Sequence, residues 1–178
     1  VYLQVVEELA RSWLTVGLGV SVHTLTCFPL ATAGTPEQQE RWLPGMLGGE
    51  LLGAYCLSEP QSGSDAAALQ TRARRDGDHY VLNGSKAFIS GGSRSDLYVT
   101  MVRTGEAGPR GISCLVVENG APGLSFGKKE KKLGWNTQPT AMVIFEDCRV
   151  PVANRLGEEG DGFKIAMMGL DGGRLNIS

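Results

Sequence analysis

The string Tyr55-Cys56-Leu57-Ser58-Glu59-Pro60-Gln61-Ser62-Gly63-Ser64-Asp65 gathers hydroxyls and turn formers behind a short apolar run. A strand opening into such a loop presents backbone N–H groups and hydroxyls together. That suits a ligand rich in acceptors, such as a flavin ring or a phosphate. A plain surface turn accounts for the same composition. A second string, Asn83-Gly84-Ser85-Lys86-Ala87-Phe88-Ile89-Ser90-Gly91-Gly92, ends in an aromatic, an aliphatic and a hydroxyl residue before two glycines. The glycines allow close approach to the backbone, and Phe88 could cover a flat ring. Core packing explains Phe88 as well.

Positioning these strings requires elements of two kinds. Leu3, Val6, Leu9, Trp13 and Val16 recur at three- and four-residue steps, which predicts a helix over roughly residues 1–26. Thr35-Pro36-Glu37-Gln38 predicts a second helix start, with Thr35 as cap, Pro36 in the first turn and Gln38 reaching back. From Leu51 to about Pro151 the residues favour strands. The pair Asn83-Gly84 predicts a hairpin splitting residues 79–90 into two short runs. Further runs at 97–104, 112–118, 124–126 and 141–146 are β-branched or aromatic and bounded by Gly, Pro or charge. After Gly160 and Gly162 a helical stripe returns with Phe163, Ile165, Ala166, Met167 and Leu170. The class expected is α+β: helices over 1–52, a β-barrel or sandwich over 53–157, and the first helix of a further bundle over 158–178. A start without Met and a last helix without a stop signal suggest that both ends are cuts through a larger protein.

Bulk properties exclude some roles. A hydrophobic share of 42% and a net charge of −2 point neither to disorder nor to a cationic nucleic-acid binder. Cys27, Cys56, Cys114 and Cys148 are far apart, and with two histidines they assemble no metal or redox motif, so reduced thiols are expected. Residues 12–34 lack Asp, Glu, Lys and Arg over a membrane-spanning length. Gly17, Gly19, His23 and Pro29 interrupt them, so a buried core helix is the expectation rather than a span. Lys128 to Lys132 alternate with Glu130 and read as a solvated strand edge.

Together the two strings resemble the acyl-CoA dehydrogenase family in order and spacing. Further matching strings are Phe145-Glu146-Asp147 with Val150-Pro151, Leu156-Gly157-Glu158-Glu159-Gly160 and Gly162-Phe163, so the resemblance covers essentially the whole chain. Gly111-Ile112-Ser113-Cys114, Gly134-Trp135-Asn136, Gln138-Pro139-Thr140 and Leu170-Asp171-Gly172-Gly173-Arg174 look like the branch that acts on isobutyryl-CoA in valine breakdown. The resemblance implies FAD as cofactor, held by Tyr55, Cys56, Leu57, Ser58, Gly63, Ser64, Phe88, Ile89 and Ser90. In it the Ser90 hydroxyl meets flavin N5 and Phe88 packs on the ring. It implies acyl-CoA contacts at Ser64, Asp171 and Arg174, although Asp171 and Arg174 at i and i+3 also fit a simple helical ion pair.

It further implies an electron-transferring flavoprotein as partner, a homotetramer, no nucleic acid and no membrane span, in the cytoplasm if bacterial or the mitochondrial matrix if eukaryotic. No residue of this chain is expected to be the catalytic base. Most branches carry that Glu in the C-terminal helical domain, and the minority position directly before Arg174 is Gly173. Two departures from the pattern stand out. Gln61 replaces the usual Gly, which demands a backbone angle that a Cβ tolerates, and Ser58 and Ser90 replace Thr. An acyl-CoA oxidase or flavin monooxygenase relative, a straight short-chain dehydrogenase and a β-rich module without redox chemistry remain as alternatives.

Overall fold

The computed structural model describes residues 1–177, with side-chain environments through residue 172. Two helices lead, α1 (Tyr2–Ala33) and α2 (Pro36–Gly48). Eight strands follow: β1 (Gly53–Cys56), β2 (Arg72–Asp76), β3 (His79–Ser90), β4 (Leu97–Arg103), β5 (Ile112–Glu118), β6 (Leu124–Phe126), β7 (Thr140–Pro151) and β8 (Arg155–Leu156). Helix α3 (Gly162–Ile177) closes the order.

Helix α1 is interrupted at Trp13, where φ −154° and ψ 92° leave the helical region. The apolar stripe read from its first half is only partly buried: Val6 is inside, while Leu3, Trp13 and Val16 are exposed. The second half does the packing, with Thr26, Cys27, Pro29 and Leu30 buried. The helix is long and apolar enough to cross a membrane by length and composition. Here that half lies against α3, β1 and α2. The α2 start follows the expected capping box, with the Gln38 N–H donating to Thr35 Oγ1 and the Thr35 N–H to Gln38 Oε1. Gln38 Nε2 then donates to the carbonyls of Ala153 and Arg155, tying the α2 start to the end of the sheet.

The strands form one sheet in the order β6-β7-β3-β2-β4-β5-β8, with β1 parallel to β4 off that path. The pairings end at β6 and β8, so the sheet does not close into the barrel that was one of the two forms expected. Strands β4 and β5 are buried on both faces, and their period of two splits them between two cores. Leu97, Val99, Met101, Cys114 and Val116 meet Leu30, Trp42, Met46 and Ile165 of the helices. Tyr98, Val102, Leu115 and Val117 meet Tyr80, Leu82, Val143, Phe145 and Cys148 on the other face.

The hairpin expected at Asn83-Gly84 does not form. Strand β3 runs unbroken through it, and the turn lies at Gly77-Asp78 between Asp76 and His79, with Gly77 at φ +63°. Gly84 serves as a register shift against β7 instead, at φ +142°, and a Cβ there would lie 2.7 Å from Thr71 Cα. Asn83-Gly84 carries hairpin chemistry, but the apolar residues on both sides of it find one continuous partner in β7. The Lys128 to Lys132 run lies beyond β6, with Lys128, Lys129 and Lys131 exposed or nearly so. Lys132 is half-buried and donates from Nζ to the Gln138 carbonyl and Thr140 Oγ1.

Candidate functional site

Strand β1 pairs only with β4, and the ladder stops at Cys56 opposite Thr100. The second edge of β1 therefore carries no strand partner among the described residues. The Leu57 and Ser58 carbonyls already accept from Lys86 and Ala87, so it is backbone N–H groups along this segment that an extended polar ligand could meet. Tyr55 lies against α3, its hydroxyl donating to the Ala166 carbonyl at 3.3 Å, and burial drives that phenol far above its ordinary pKa. Cys56 and Leu57 are buried, and Ser58 is half-buried. Gly63 and Ser64 stand exposed in the loop beyond. That loop is shaped from within by paired Glu59–Ser62 backbone bonds and by the Ser62 hydroxyl donating to the Asp65 carbonyl.

The second string reaches the first through β3. The Ala87 N–H donates to the Ser58 carbonyl at 2.8 Å. Immediately after it the register of β3 against β7 shifts between Lys86 and Ile89, and Phe88 takes φ +58° with 70% of its surface exposed. A left-handed aromatic residue costs about 1 to 2 kcal/mol, and such strain persists where surrounding structure fixes it. Core packing is thereby excluded for Phe88. Ile89 is buried in the second core, and Ser90 is half-buried opposite Thr140. The geometry thus joins an unpaired strand edge, a solvent-facing aromatic ring and a half-buried hydroxyl. A flat, hydrogen-bonding heterocycle fits that set, and the Tyr55–Ser58 backbone with Phe88 and Ser90 would hold it.

Asp171 is exposed on α3, and Arg174 lies outside the residues whose side chains are described. The structure brings Tyr55 to the middle of α3 without testing the expected Asp171–Arg174 face. Gln61 occupies its loop position without a left-handed φ, which removes the difficulty a Cβ could have raised.

Sequence reasoning missed the group beneath the site. Lys86 is fully buried, and its Nζ donates to Glu59 Oε1 at 2.7 Å and to the Leu57 carbonyl at 3.1 Å. Glu59 also accepts from the Thr71 N–H on Oε1, and from the Gln70 N–H and Gln61 Nε2 on Oε2. Burial works to raise the Glu59 carboxyl, but Lys86 and the Thr71 and Gln70 N–H groups outweigh it and hold the acid below its usual range. The available signal was one lysine inside the strand-forming run 79–90 and one carboxylate early in the other string. All four cysteines are free and buried.

The sequence matches the family model for the acyl-CoA dehydrogenase N-terminal domain over residues 1–50 and that for the middle domain over 54–148. It is 58% identical over 97% of its length to a mitochondrial isobutyryl-CoA dehydrogenase of Dictyostelium discoideum, covering 42% of that protein. It is 59% identical over 97% of its length to the mitochondrial isobutyryl-CoA dehydrogenase of Bos taurus, covering 41%. The fold superposes on butyryl-CoA dehydrogenase from Megasphaera elsdenii with a TM-score of 0.95 at 44% identity, over 99% of this chain and 47% of that one. The chain thus spans less than half the length of these relatives.

Proposed function

The chain belongs to the acyl-CoA dehydrogenase family, and from that premise we propose that the protein carrying it dehydrogenates a short branched acyl-CoA, isobutyryl-CoA to methacrylyl-CoA, with bound FAD. The observation that carries this reading is the Ala87–Ser58 hydrogen bond. It sets the free edge of β1 beside Phe88 and Ser90, and the identity to relatives of that name supports the substrate.

The flavin, when bound, supplies the hydride acceptor. The residues of this chain bind and orient. The Tyr55–Ser58 backbone and the Ser58 hydroxyl meet the polar side of the ring system, with Cys56 and Leu57 anchoring that strand in the two cores. Phe88, exposed beside this edge, would cover a ring face and exclude water from it. The half-buried Ser90 hydroxyl would offer a fixed hydrogen-bond donor to the ring, the kind of preorganised group that favours added negative charge there. Gly63 and Ser64 line the loop toward the substrate, with Asp171 and Arg174 meeting the CoA portion. We propose no general base among these residues: Glu59 is engaged by Lys86, and Glu158 and Glu159 by Arg155. We further propose the division at 52/53 and 157/158, a homotetramer, and electron delivery to an electron-transferring flavoprotein. The similarity to mitochondrial relatives favours the mitochondrial matrix for a eukaryotic source.

The test is anaerobic titration of the purified protein with isobutyryl-CoA, butyryl-CoA and isovaleryl-CoA, following the visible flavin band. Fastest bleaching by isobutyryl-CoA supports the assignment. Preference for butyryl-CoA would move it to the straight short-chain enzymes, and a colourless protein would remove the flavin reading.

A further inference from the structure

We infer that Lys86 is a positioning residue that aims the Ser58 N–H into the cofactor site, an inference that rests on the flavin reading above. The Leu57–Ser58 peptide is trans, as are all the described peptides, so the Leu57 carbonyl and the Ser58 N–H point to opposite sides of one plane. The Leu57 carbonyl is drawn toward the core by the buried Lys86 ammonium at 3.1 Å. The Ser58 N–H must therefore face away from that ammonium. The next peptide is pinned as well, because the Ser58 carbonyl accepts from Ala87. Two consecutive carbonyls are thus each held by a β3 residue, and rotation of the Ser58 N–H would break the Lys86 bond. A carbonyl bonded to a cation is also polarised, which makes the N–H of the same peptide a stronger donor.

Glu59 plays a different part. Its carboxylate is anchored to the Gln70 and Thr71 N–H groups, a segment outside both strings, and so fixes where Lys86 ends. Glu59→Gln removes the charge but keeps an acceptor oxygen for Lys86 Nζ, so the bond from Lys86 to Leu57 is expected to persist. Removing Lys86 releases the peptide. A purely structural ion pair would make the two residues equivalent; an aiming role makes them unequal.

The experiment compares the flavin-bound protein with Lys86→Met, Glu59→Gln and the double variant, reading the visible spectrum, the midpoint potential of the bound flavin and the FAD dissociation constant. The double variant leaves no lone buried charge, so it keeps its fold where a single change strands one partner. Lys86→Met and the double variant are expected to shift the flavin bands alike, lower the potential and weaken FAD binding about tenfold, the loss of one well-aimed hydrogen bond. Glu59→Gln is expected to hold the wild-type spectrum and potential. Equal spectra and potentials in wild type and the double variant overturn the inference, as do equal shifts in Glu59→Gln and the double variant. A parent protein without flavin overturns the flavin reading itself and the inference with it.

Discussion

The Ala87 N–H donates to the Ser58 carbonyl at 2.8 Å across 29 residues of sequence, and through that one bond the two polar strings of this chain become a single surface. On one side of it lies the free edge of β1; on the other, Phe88 leaves the β3 ladder with a left-handed backbone.

Phe88 holds its strained backbone without core contacts of its own, so replacing it separates stability from binding. Phe88→Gly removes the left-handed penalty of about 1 to 2 kcal/mol and exposes no cavity. The flavin-free protein is expected to melt no lower than wild type, while flavin retained through gel filtration drops. A lower melting temperature together with unchanged flavin content would contradict the role given to the ring.

Burial works to raise the Glu59 carboxyl, but Lys86 and the Thr71 and Gln70 N–H groups outweigh it and depress its folded-state pKa. A group depressed in this way contributes stability above its unfolded value, near ~4.3 for a glutamate, and loses that contribution as pH falls through the folded value. Denaturant midpoints taken from pH 7 to pH 3 should decline toward acid, and Glu59→Gln should flatten that decline. At neutral pH the same variant should be less stable than wild type by roughly 3 to 5 kcal/mol, because Lys86 loses its buried counter-charge. An unchanged acid slope in Glu59→Gln would count against the pair as its source.

Gly84 combines φ +142° with the Thr71 backbone 2.7 Å from where a Cβ would stand. Gly84→Ala should cost roughly 1 to 3 kcal/mol through the backbone angle alone, and more through the contact with Thr71. Gly77, at φ +63° in the open β2–β3 turn, has nothing within 4 Å of the position a Cβ would take, so Gly77→Asn should be nearly silent. Urea midpoints of the two variants measure the difference directly. Equal costs would mean that the bulge is as tolerant as the turn.

Burial pushes the Cys56 thiol up to about 12 even though Lys86 and Thr100 work the other way, and it pushes Cys148 up to about 11. Cys27 and Cys114 are raised by the same cause. Brief iodoacetamide treatment at pH 8 followed by peptide mapping should leave all four unlabelled in the native protein and label all four in urea. Labelling of Cys56 in the native state would place solvent at β1 where none is expected.

Much of the architecture was legible along the chain because its signals are local. The α2 capping box depends on Thr35 and Gln38 alone, and the limits of β5 follow from an unbroken run between Gly111 and Asn119. The family resemblance likewise rested on contiguous strings, which name the two segments of the candidate site without reference to anything distant. Other features could be settled only by tertiary contacts. Asn83-Gly84 has the composition of a turn, yet β7 offers both flanks one continuous ladder, and the turn forms at Gly77-Asp78. Phe88 fits a core or a ring-covering role equally well in sequence, and the register shift beside it leaves the side chain exposed. The buried Lys86–Glu59 pair was hidden because a lysine and a glutamate in polar strings read as solvated charges. Only the closing of β3 over the Glu59 loop removes water from both and makes each the other's counter-ion. The sequence by itself thus determined which segments make up the candidate site; burial and long-range pairing decided which of their side chains are exposed and which are locked inside.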